Sequence, residues 1–216
     1  MQSGGPMSNS WLESTWGIQT SDTFLVDALP KEVNVYVLIE SALMPEWQQA
    51  LYQHINDADT SPPYFESLFK GTAYQHIEHG PVLIEVTAYP QLLQFLVTQF
   101  ETLPLGCVLV TPSDRTNIVD ELRHRLTVSK NGHPTLMRYY EPRMLLPFLA
   151  ALSNEEKAML FPSVQSIHWY HKQWFQAAWT PQPVRHASLT PWVVTPAHSH
   201  TMIHIMNTRS SQEVSV

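Results

Sequence analysis

Cysteine occurs once in this sequence, at Cys107, and glycine only seven times. A lone cysteine excludes an internal disulfide framework and suits a reducing compartment. Seven glycines leave no Gly-rich phosphate cradle of either common type. Charge is scarce as well: 14% of residues, with 12 Lys and Arg against 19 Asp and Glu, for a net charge of −7. The cations form no run, and a nucleic-acid binder needs clustered cations to displace counterions from phosphates. No apolar stretch reaches the length of a membrane span. The opening "MQSGGPMSNSWLEST" has no basic segment followed by an apolar run, so it does not read as a signal peptide. The expectation is a soluble, cytoplasmic protein without nucleic-acid or membrane partners.

What is present is apolar material, 44% of the chain, arranged in alternating elements. "VNVYVLIE" (33–40), "PVLIEVT" (81–87) and "PLGCVLVTP" (104–112) are β-branched and continuously apolar, as strands buried on both faces are. Between them lie helical patterns: "PEWQQALYQHI" behind Pro45, and "YPQLLQFLVTQF". "SPPYFESLFKG" reads as a loop with an aromatic turn. Ser113 is the expected cap of a third helix carrying Ile118, Val119 and Leu122 on one stripe. Strands alternating with helices predict an α/β fold: a small, mostly parallel sheet flanked by helices with right-handed crossovers. "LTVSKNGHPTLMRYY" then reads as a hairpin around Asn131-Gly132. A smaller helical lobe follows, with a capping box at Ser153 and Glu156. The resulting division is a flexible lead-in (1–30, with Trp11 and Trp16 as docking candidates), an α/β lobe (31–128), a hairpin plus helical lobe (129–180), and a Pro-rich, largely disordered tail (181–216).

Candidate chemistry is thin. Neither G-x-S-x-G nor H-E-x-x-H occurs. Cys107 sits within a strand pattern and reads as a small core residue. His198, His200 and His204 form H-x-H-x₃-H, but nothing in the sequence orients them as ligands, and structural zinc sites recruit more cysteine. No metal and no cofactor are expected. Asp57 and Asp59 lie where Asx turns are expected.

The densest group of polar residues is in "LMRYYEPRMLLPFLAAL" (136–152). Pro142 suits the first position of a helix, and Glu141 before it places negative charge at the positive end of the helix dipole. Pro147 is expected to kink or split that helix. Arg138 and Arg143 each have two readings: pairing with Glu141, or holding a carboxylate of another chain with a planar fork. Tyr139 and Tyr140 lie between them. The aromatic "IHWYHKQWF", with Trp169, Trp174 and Phe175, is read either as part of a partner surface or as the closure of the second lobe's core.

The order "VYVLIESAL", "YFESLFKG", "GPVLIEVT", "GCVLVTPSDRTNIVDELRHRLTV", "LMRYYEPRMLLPFLAALSNEEKAMLFPSV" resembles the type VI secretion adaptor family known as domain of unknown function 4123. The resemblance spans roughly residues 33 to 170. It is most specific in "RYYEPRML" and "LSNEEKAMLFPSV", with Glu141 where the family usually has Asp. It implies a non-enzymatic chaperone-adaptor that binds a cognate toxic effector and loads it onto a VgrG-type spike protein. On that reading Arg138, Tyr139, Tyr140, Arg143, Trp169, Trp174 and Phe175 are the candidate partner contacts, and Glu141, Pro142, Ser153 and Glu156 form a structural junction. The competing reading is a small α/β hydrolase or transferase of unknown substrate, with its ligand at the carboxyl ends of the strands.

Overall fold

The computed structural model describes residues 12, 16–55, 61–182 and 191–213. Trp11 and the Asp57 and Asp59 loop lie outside them. In chain order, β1 (Ile18–Ser21) and a 3-10 turn (Val26–Ala28) precede β2 (Asn34–Glu40). Then come α1 (Trp47–Gln53), β3 (Phe65–Ser67), β4 (Pro81–Glu85), α2 (Pro90–Phe100), β5 (Gly106–Thr111) and α3 (Arg115–Arg125). The chain continues with β6 (Thr127–Lys130), β7 (His133–Leu136), α4 (Pro142–Ala150), α5 (Asn154–Leu160), β8 (Ser166–Tyr170) and β9 (Trp174–Ala178). It closes with β10 (Trp192–Val194) and α6 (Pro196–Glu213).

Helices and strands both form, but the expected α/β fold with a mostly parallel sheet does not. Seven strands run in the order β1-β9-β8-β5-β2-β4-β3, and every neighbouring pair is antiparallel. The parity changes at β3. Phe65–Ser67, read from sequence as part of a loop, is a strand, and it turns the chain so that β4 runs against β2. The α2 crossover then joins β4 and β5, which are parallel to each other but separated by β2. The helices therefore connect strands once removed, and β2 fills the gap in the opposite direction. A second, three-stranded sheet, β10-β6-β7, contains the only parallel pairing among the described strands, β10 with β6.

Continuous apolar strands follow from burial on both faces. On β2, Val35, Val37 and Ile39 point to one side and Tyr36 and Leu38 to the other, in the period-2 alternation of a strand. Leu51 of α1 and Leu92, Leu93, Leu96, Val97 and Phe100 of α2 cover the first side. α3, α4 and α5 cover the second, with Ile205 of α6 joining the same cluster. Gly106 permits the β2–β5 contact: a Cβ there would lie 1.8 Å from the Leu38 carbonyl oxygen.

The 129–180 lobe is not separate. Its hairpin β6–β7 forms at Asn131 (φ 53°) and Gly132 (φ 77°), as the Asn-Gly pair predicts. The segment after α5, however, returns as β8 and β9 to the main sheet, beside β5. Pro147 leaves α4 continuous from Pro142 to Ala150. The cap of α3 is Asp114, which accepts from the Asn117 N–H at 3.0 Å, rather than Ser113. The lead-in and the tail both contain order: β1 pairs with β9, Lys157 donates to the Trp16 carbonyl, and α6 is an 18-residue helix where the prolines pointed to a loose end.

Candidate partner-binding site

The Arg138–Arg143 corner is built where β7 ends and α4 begins. Pro142 takes the first helical position, and the Glu141 side chain makes no cap hydrogen bond. It turns instead to Arg143, whose Nε donates to Glu141 Oε1. Arg138 reaches past Glu141 to Glu40 at the end of β2, with Nη2 2.9 Å from Oε2. Burial works against the Arg138 charge, but Tyr140, 5.8 Å below the guanidinium, and Glu40 outweigh it and raise its pKa. Both carboxylates sit low (Glu40 11% and Glu141 13% exposed) beneath arginines that face solvent at 47% and 61%. The corner therefore presents two guanidinium groups held in place from below. Such forks hold a carboxylate bidentately when one is offered.

The other five candidate contacts are not on the surface. Tyr139 and Tyr140 are fully buried, and the Tyr139 hydroxyl donates to the Leu122 carbonyl at 2.9 Å. Trp169 stacks on Phe175 at 5.4 Å within the α4-side core. Trp174 belongs to the opposite core and donates from Nε1 to Glu101 at 3.0 Å. All five are core side chains of the folded chain, and a partner surface has to be found elsewhere. Amphipathic aromatics carry the same sequence signal in a core as at an interface, which is why sequence could not separate the two.

Ser153 accepts from the Glu156 N–H while Glu156 reaches back to the Ser153 N–H, closing the capping box. Glu156 also receives His198: Thr195 N–H donates to His198 Nδ1, which leaves Nε2 to donate to Glu156 Oε1 at 2.9 Å. His198 thus fastens α6 to α5. On a helix it diverges by about 200° from His200, and among the described residues no three His, Cys, Asp or Glu side chains gather as a metal set.

A polar fastener not legible in sequence sits under the α5–β8 connection. Arg125 donates to the carbonyls of Leu160 and Met159, Trp179 Nε1 to that of Phe161, and Thr111 Oγ1 to that of Ser163. Glu121 accepts from the Ser163 N–H at 3.1 Å through Oε2, while Oε1 is buried without a partner. Burial pushes the Glu121 carboxyl up to about 7, against the hydrogen bonds from Ser163 and the nearby Arg125.

Two surface cavities flank α2. One, of about 640 Å³, is lined by Phe24, Leu25, Asp27, Pro90, Gln91 and Gln94 among others. The other, about 490 Å³, includes Met44, Glu46, Gln49, Gln53 and Phe95. Each contains a single ionisable side chain, so neither brings together an acid–base pair. Among the described residues no helix is long and apolar enough to cross a membrane.

Residues 35–159, which carry the sheet centre, α1 to α4, most of α5 and the arginine corner, match the family model described as Domain of unknown function (DUF4123). No curated protein and no solved structure matches the chain. The match spans more than half of the sequence, and the chain belongs to the DUF4123 family.

Proposed function

We propose that this chain is a cytoplasmic, non-enzymatic adaptor that holds a cognate type VI secretion effector and loads it onto a VgrG-type spike protein. The observation that carries this reading is family membership across residues 35–159, a span that contains "RYYEPRML" with Arg138 and Arg143 at the surface. The two arginines support it as fixed, solvent-facing forks of the kind enriched at protein contacts. The test is co-expression with the effector. Effector yield and solubility should fall when the adaptor is omitted, and the effector should be retained on a tagged adaptor. Unchanged yield together with no retention would sink the reading.

A further inference from the structure

α1 and α2 contain no charged residue: WQQALYQ and PQLLQFLVTQF. Their solvent-exposed positions are Gln48, Gln49, Tyr52 and Gln53 on α1, and Pro90, Gln91, Gln94 and Thr98 on α2. A solvated helix face carries charged side chains. Depletion of charge, with apolar and aromatic residues retained, marks the centre of a protein contact. The apolar residues are present: Leu25 and Tyr52 are 64% and 60% exposed, Phe95 is half-buried in the second cavity, and Trp47 is half-buried on α1. Gln91 and Gln94 line the first cavity and Phe95 the second, so neighbouring positions of α2 at helical spacing contribute to both. The charges lining the cavities have one sign, Asp27 in the first and Glu46 in the second.

We infer that the α1–α2 face is a docking surface for an amphipathic helix of a partner protein, its apolar stripe seated in the two cavities astride α2 and its basic flanks facing Asp27 and Glu46. Helix-in-groove binding needs an apolar trough with a rim of opposite charge, and the glutamine amides donate to and accept from polar groups at the edge without the desolvation cost of a charge. Under the adaptor reading, on which only the identity of the partner rests, the helix belongs to the effector.

The test uses the full chain and two labelled peptides of about 18 residues, one with leucines at helical spacing and lysine flanks, the other with glutamate flanks. Fluorescence anisotropy should show the lysine peptide binding at least about tenfold more tightly than its twin. Leu25→Asp should weaken it about tenfold, and Asp27→Lys with Glu46→Lys should reverse the preference between the peptides. These positions are exposed, so unchanged thermal unfolding verifies that the variants fold. The inference is overturned if neither peptide binds, if both bind equally, if the substitutions leave binding unchanged, or if the wild-type chain is a dimer that Leu25→Asp turns into monomers. Effector retained equally by wild type and variants would remove this surface and leave the adaptor reading standing. Peptide binding without effector retention would do the reverse.

Discussion

On one face of the sheet, α1 and α2 lie over Val37, Ile84 and Val108 without a charged residue in either helix. On the other, α3 alone carries five: Arg115, Asp120, Glu121, Arg123 and Arg125. The difference separates two uses of polarity. On the α3 side two of these, Glu121 and Arg125, are turned inward to the backbone of the α5–β8 connection, where an unmet carbonyl in the core is expensive. On the α2 side, polarity is outward, neutral and short of charge, leaving a surface that water releases readily. One face holds the fold; the other is the face proposed for docking.

Substitutions on the α3 side should break the fold. Trp169→Ala removes a fully buried tryptophan of that core and should cost about 3–5 kcal/mol, read as a fall in the urea midpoint. Arg125→Ala strands the Leu160 and Met159 carbonyls and should cost roughly 2–3 kcal/mol.

A pH titration sharpens the contrast. The Glu121 carboxyl is raised from 4.5 to about 7 in the folded chain, which therefore holds this proton more tightly than the unfolded chain does. Its contribution to stability falls as pH rises through that window and is level above it. Relative to Glu121→Gln, wild type should lose roughly 2 kcal/mol between about pH 5.5 and about pH 8.

The smallest effects belong on the surface. Tyr52→Ala and Arg143→Ala should each change stability by no more than about 0.5 kcal/mol. If Arg143 clamps a partner, Arg143→Ala purifies normally and loses effector or spike retention. An aggregated mutant would show that the arginine is structural.

Sequence made the types of β2, β4, β5, α2 and α3 visible, missed β3 and α6, and hid the sheet's direction. A continuous run such as "VNVYVLIE" reports burial on both faces, and an antiparallel strand sandwiched between helices produces the same run as a parallel one. Direction turned on three residues, Phe65–Ser67, too few to show a period. At the corner, the Pro142 helix start was legible because its cause is local. The Arg138 partner was not, because Glu40 lies 98 residues away and only the fold brings the two together. The buried aromatics misled for a related reason: composition records that a side chain is large and amphipathic, not which way it faces. The face now of most interest had a readable signal, the missing charges of "WQQALYQ" and "PQLLQFLVTQF", that becomes informative only once those helices are known to be exposed.

Hydrogen exchange on the chain alone and in complex with its co-expressed effector compares the two faces directly. Added protection in the complex should fall on residues 45–54 and 90–99, while the α3 side and the α5–β8 connection stay as they are in the free chain. Protection confined to the arginine corner or to α6, with the α1–α2 face unchanged, would contradict the account.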